Sequence, residues 1–196
     1  KFFKLCAFGS TSSVDNRESL ECIGKNILPK LKGNPLAAKT IGRLLRMDLS
    51  TTHWGNIMES ELWRLEQTET DILPALRLSY MYLPQKLKRC FSICAMFPKD
   101  HKFGKDFLAD IWIAQGYVEG PEEASMCFDA LANRSFFQKP SSQSPNYVIH
   151  DLMHDTAQLV SKDECFIIKH PRDIDRVPST VRHLSIFGNG DIDCSE

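Results

Sequence analysis

Apolar residues recur at three- and four-residue spacing along much of the chain, a periodicity that lines one face of a helix. Between Ser19 and Leu31 the repeating positions are Leu20, Ile23, Ile27, Leu28 and Leu31. Gly33-Asn34-Pro35 then breaks the pattern. Gly33 suits a left-handed helix C-cap, Asn34 an N-cap, and Pro35 the first turn of the next helix, where no N–H is needed. That second helix is predicted to turn Leu36, Ala37, Ile41, Leu44 and Leu45 inward. A third, beginning after the possible caps Thr51 and Thr52, turns in Trp54, Ile57, Met58, Leu62 and Leu65. Three such helices within about 50 residues predict a small bundle.

After a polar break from Glu66 to Asp71, helical patterns resume from Ile72 to Met81 and from Pro84 to Phe97. Pro98-Lys99-Asp100 reads as a turn. Further helices are predicted from Lys105 to about Tyr117, closing near Gly116 and Gly120, and from Pro121 to Phe137, where Glu122 and Glu123 suit the helix dipole. A Ser/Pro loop from Lys139 to Asn146, a short strand Tyr147-Val148-Ile149 and a helix to about Ser161 follow. Helix, turn, helix and a short β element is the order of a winged-helix domain. Two last strands are predicted at Phe166-Ile167-Ile168 and around Val181, Leu184 and Ile186. The second has the spacing of a leucine-rich-repeat strand, and since one repeat cannot bury its own face, more are expected downstream. The chain therefore reads as mainly α: a helical bundle over 1–69, a winged helix over 70–162, and a linker with the start of leucine-rich repeats over 163–196.

The 196 residues are 42% apolar and 25% charged, a composition that folds. A formal net charge of -1 offers no long-range attraction to nucleic acid or anionic lipid. No apolar run approaches the roughly 20 residues of a bilayer-spanning helix, and Lys1 to Cys6 is short for a secretory signal. Seven scattered cysteines without paired CxxC knuckles suit reduced buried thiols, so the expected compartment is the cytoplasm. The chain starts without Met and breaks off after one strand, and it is expected to be a piece of a longer protein.

Several local features admit more than one chemistry. His150 and His154, four residues apart with Asp151 between them, imitate a zinc-binding HExxH site. Asp151 is one methylene shorter than that pattern's general base, and Asp163 or Glu164 would have to complete the ligand set; a metal-dependent hydrolase stays open on these residues. A winged helix also suggests DNA binding, yet between Lys105 and Glu119 one Lys faces Asp106, Asp110 and Glu119, a balance that repels phosphates. Lys86, Lys88 and Arg89 form the one basic cluster, a solvated face or a docking patch. Cys90, Cys94, Trp54, Trp63 and Trp112 fall at apolar helical positions and are assigned to packing.

Three separated motifs resemble, in order, the C-terminal half of the NB-ARC module in plant disease resistance proteins of the coiled-coil class. Gly33-Asn34-Pro35-Leu36-Ala37 is similar to the family's GLPLA corner, with Asn34 in place of the usual leucine. Cys90-Phe91-x-x-Cys94-Ala95-x-Phe97-Pro98-Lys99-Asp100 resembles the start of its winged helix. Met153-His154-Asp155 matches its MHD triplet. The resemblance implies a switch in an immune receptor: ADP held between domains keeps the protein closed, and exchange for ATP moves the winged helix and lets protomers assemble. It implies that Pro35 packs near the adenine and that His154 contacts the terminal phosphate. Gly33, Leu36, Met153 and Asp155 then belong to the switch around them, with Asp155 orienting His154 or capping its helix. The implied partners are the upstream nucleotide-binding domain, the downstream repeats, further copies on activation, and a pathogen effector or guarded host protein, with no DNA and no direct membrane contact. No GxxxxGK[ST] loop is present, since Gly24-Lys25-Asn26 has Ser19 where the first Gly belongs and Asn26 where Ser or Thr would hold magnesium. The chain is accordingly expected to catalyse nothing, magnesium and any weak ATPase activity belonging to other segments of the receptor.

Overall fold

A computed structural model describes residues 1–9, 16–64 and 74–186. The expected helical position Leu65, the break from Glu66 to Asp71 with the 69/70 boundary, the helix start at Ile72 and the stretch 187–196 lie outside the described residues.

The first helix is one the periodicity did not announce. Seven residues, Phe2–Phe8 (α1), bury Phe3, Ala7 and Phe8 against the bundle. A segment this short has no stable helical state of its own, so its form depends on what it packs against. That partner is the helix Pro35–Arg46 (α3). Their approach is close because α3 carries Gly42, where an added Cβ would sit 2.6 Å from Cys6 Cβ and 3.3 Å from the Ala7 backbone nitrogen. A helical glycine costs about 1 kcal/mol relative to alanine, and here the contact between backbones offsets it.

Between α1 and α3 runs Arg17–Ile27 (α2), which tightens into a 3-10 turn, Leu28–Leu31. The tighter winding turns Leu28 out to 43% exposure while Leu31 stays buried. The corner that follows forms as predicted. Lys32 and Gly33 are both left-handed, at φ 49° and 72°. Asn34 Oδ1 accepts the Ala37 N–H at 3.0 Å, with Pro35 in the first turn. Ala37, Ile41, Leu44 and Leu45 are buried in the bundle as expected, whereas Leu36 packs against the other core. Thr51–Glu59 (α4) is capped by Ser50, whose Oγ accepts the His53 N–H at 3.1 Å; Thr51 and Thr52, the predicted caps, are its first helical residues. Trp54 is fully buried, its indole N–H donating to Leu45 O at 3.0 Å. Trp63 donates likewise to Ile57 O at 2.6 Å.

The described helix Pro74–Met81 (α5) joins two hydrophobic cores. Ala75 and Leu78 belong to the bundle core, and Leu76 to the core of the winged helix. In the latter, Pro84 precedes Gln85–Ser92 (α6), which continues as a 3-10 turn, Ile93–Met96, before Phe97 becomes extended. Next come Lys105–Ala114 (α7) and Pro121–Asn133 (α8), the second ending earlier than predicted because Ser135 turns left-handed at φ 70°. Phe91, Phe103, Trp112, Phe128 and Phe136 fill the centre. The predicted strand 147–149 exists as two single antiparallel bridges, Phe103 with Tyr147 and Gln138 with Val148, which form a minimal wing. Asp151–Val160 (α9) closes the domain against the Ile93–Met96 turn.

The last two predicted strands pair with each other. Cys165–Ile168 (β1) and His183–Ile186 (β2) lie parallel, Cys165 opposite His183, with the crossover passing through a 3-10 turn, Pro171–Arg176. Contacts of this sheet with the winged helix include Cys165 Sγ, 3.9 Å from Ser92 O, and Tyr117 Oη, 3.1 Å from His183 Nε2. Among the described residues no helix is long and apolar enough to cross a membrane. If Gly42 sets the approach of α1 to α3, Gly42→Ala lowers stability by about 1–3 kcal/mol despite alanine's better helix propensity, measurable as a shifted urea midpoint at constant m-value.

Candidate functional site

Two neighbourhoods hold the residues singled out by sequence. At the corner before α3, Gly33 needs its conformation rather than its small size, since a Cβ there would meet nothing within 4 Å. Pro35 is exposed, an apolar ring without a donor to desolvate, while the adjoining Leu36 is half-buried against the winged-helix core. Asn34 supplies the cap that a leucine could not.

At α9 the two histidines part company. His150 is the N-cap and half-buried; its Nδ1 accepts the Leu152 N–H at 3.3 Å, which leaves the ring proton on Nε2. His154 is only 2% exposed. Its Nε2 lies 2.6 Å from Phe97 O, and because a carbonyl only accepts, Nε2–H is the donor; Nδ1 is buried with no hydrogen-bond partner. Met153 is fully buried beside it. Asp155 does not orient His154: its Oδ1 pairs with Lys99 Nζ at 2.6 Å, a contact that raises the lysine's pKa.

The two residues of the expected ligand contact stand in different surroundings. Pro35 lies on the surface and His154 inside a core, so the two do not present a common face to a ligand in this arrangement. The imidazole of α9 that remains open is His150, one turn earlier. The His-Asp step occurs twice on this helix, at 150–151 and at 154–155. Met153 and Ala157, four apart and both buried, mark the face that draws the adjoining His154 inside. An N-cap side chain, by contrast, sits at the helix's positive end, where anions are favoured.

His150 and His154 therefore do not converge as metal ligands, and among the described residues no group of three His, Cys, Asp or Glu side chains is placed to hold a metal ion. Cys90 and Cys94 lie in the winged-helix core. Burial, followed by the neighbouring Cys127, pushes the Cys90 thiol up to about 12, and burial likewise raises Cys94. Neither is a thiolate at neutral pH, as reactive or metal-bound cysteines are.

Residues 96–157 match the winged-helix domain of disease resistance proteins. The chain is 43% identical over 159 residues to disease resistance protein RGA4 of Solanum bulbocastanum, covering 77% of this chain and 16% of that protein. It is 36% identical over 166 residues to an RPP13-like disease resistance protein 1 of Arabidopsis thaliana, covering 81% and 15%. A second Arabidopsis relative, RPP13-like protein 4, is 31% identical over 199 residues, covering 94% and 22%. The chain belongs to the plant disease resistance proteins.

In this disease resistance chain, which spans between 15% and 22% of the length of those relatives, the histidines have separable structural roles. His154→Ala opens a cavity and orphans Phe97 O, and is expected to cost about 2–4 kcal/mol of unfolding free energy. His150→Ala removes only a cap, about 0.5–2 kcal/mol. Asn34→Leu, which restores the family's usual residue, loses about 1 kcal/mol of capping. Chemical denaturation of the three variants ranks them.

Proposed function

We propose that this chain is the nucleotide-sensing and relay part of an intracellular plant immune receptor. ADP bound at the corner before α3 holds the winged helix in its docked position, and exchange for ATP releases it to trigger defence and assembly of further copies. The observation that carries this reading is the junction of Pro35 and Leu36. A ligand pressed on the exposed proline ring touches a residue whose neighbour is packed into the winged-helix core. Contact with the ligand and docking of the domain are then linked, and each stabilises the other by the same free energy.

Within this scheme Pro35 supplies apolar contact and Gly33 the turn. His150, at the N-terminus of α9, is the imidazole available to phosphate. His154, Met153 and Asp155 hold α9 in place. The nucleotide would bring the charge that this N–H and the helix dipole neutralise. Phosphate cradling and magnesium are assigned to the upstream nucleotide-binding domain, because the sequence has no GxxxxGK[ST] loop; the chain itself catalyses nothing. The parallel pair β1–β2 begins a leucine-rich-repeat array whose later repeats contact an effector or a guarded host protein. The working compartment is the cytoplasm.

Calorimetry of ADP on the complete receptor tests this. His150→Ala is expected to weaken ADP by about 1–3 kcal/mol, with His154→Ala acting chiefly through stability. Equal ADP affinity in wild type and His150→Ala removes the phosphate contact assigned here. Stoichiometric metal lost with either histidine would instead support the hydrolase reading.

A further inference from the structure

Far from the corner, the C-terminal ends of α3 and α8 face each other across a cleft of about 470 Å³ lined by Arg43, Arg46, Met47, Ala130, Asn133 and Arg134. Three guanidinium groups lie there, two from the bundle and one from the winged helix. Among the described residues none of the three forms an ion pair with a carboxylate. We propose that this cleft is a binding site for a small phosphate-type anion, whose oxygens bridge Arg43 and Arg46 of the bundle to Arg134 of the winged helix.

Helix C-termini attract cations, so part of the positive charge has a structural reason. Arg43 donates to Ala132 O at 2.9 Å and Arg134 to Ala130 O at 3.5 Å, both carbonyls in the last turn of α8. Each helix end supplies roughly half a negative charge, which leaves roughly two of the three positive charges uncompensated. Lys39, one turn before Arg43 on α3, has its pKa lowered first by burial and then by the Arg43 charge, and burial also lowers that of Arg134.

Donors remain free as well as charge. Arg134 Nε points at Met47 Sδ, 3.0 Å away, a weak acceptor. Arg46 makes no hydrogen bond among the described residues and lies across Gly9, where a Cβ would sit 2.6 Å from its Cζ. A guanidinium carries five N–H groups in a planar fork matched to phosphate oxygens, and these three have donors to spare on one cleft. A phosphate-type anion offers three or more oxygens and up to two negative charges, enough to serve three guanidinium groups on both walls at once, where a carboxylate offers two oxygens and one charge. The cleft is also separate from the proposed nucleotide corner: from Pro35 to Arg46 the helix rises about 16 Å.

An anion bridging the two walls binds only while bundle and winged helix are docked, so it would stabilise that arrangement independently of the nucleotide. The test is calorimetric titration of the 196-residue chain with inorganic pyrophosphate at fixed, near-physiological ionic strength, paired with thermal melts. Saturable one-to-one binding is expected, weakened about tenfold or more by Arg46→Gln and by Arg134→Gln, and untouched by Lys139→Gln, a lysine that does not line the cleft. Pyrophosphate should raise the melting temperature of the wild type and not that of Arg46→Gln, each compared with its own ligand-free melt. Absence of saturable binding overturns the proposal, as does equal binding by wild type and Arg46→Gln. An effect confined to one wall removes the bridge. Displacement of pyrophosphate by lower concentrations of a glutamate-rich peptide would reassign the cleft to an acidic polypeptide.

Discussion

The arrangement of this chain depends on two cores sharing one short helix. Ala75 and Leu78 of α5 complete the bundle while Leu76 completes the winged helix. Exposing one large buried aliphatic side chain costs roughly 1.5–3 kcal/mol, so pulling the bodies apart at α5 exposes apolar surface whichever way the helix goes. Leu36 repeats the device on α3. Movement between the bodies therefore has a definite cost, and a ligand can bias it only by its difference in affinity between the docked and released arrangements.

Within the winged helix, α9 is fastened twice to the same stretch of chain. His154 donates to the carbonyl of Phe97, and Asp155 pairs with Lys99 two residues on. The first bond is buried and directional, whereas the second, with side chains 48% and 29% exposed, is screened by solvent. Together they fix where the N-terminus of α9 stands and hence where His150 sits. His154 thus also braces the helix that carries its neighbour His150.

The sheet at the C-terminal end is held by the same domain. Cys165 reaches toward Ser92 O, the last residue of α6, and Tyr117 meets His183 on β2. Leu184 and Ile186 remain about half exposed on β2, at 47% and 53%. Parallel pairing with β1 orients whatever packs on that surface relative to the winged helix. The domain proposed to sense nucleotide is thereby joined to the strand proposed to begin the repeats.

Much of the helical order was legible along the chain, because burial by one face leaves a periodic trace and because caps act over three or four residues. The corner Gly33-Asn34-Pro35, the start of α6 after Pro84 and the turn at Pro98 are of this local kind, and the winged-helix order followed from them. Other features have no local signature. α1 is helical because Gly42, some 35 residues away, lets it approach, and Leu36 belongs to a core its own helix does not build. The surroundings of His150 and His154 were decided by packing, which sets the buried imidazole of His154 against the Phe97 carbonyl and leaves His150 half-buried at the helix start; the three arginines meet only because two helix ends do. Sequence determined most of the segments that form helices, α1 excepted, through interactions within a turn or two. Which face each helix buries, and which of two similar histidines stays open, only tertiary packing decided, because both depend on partners remote along the chain.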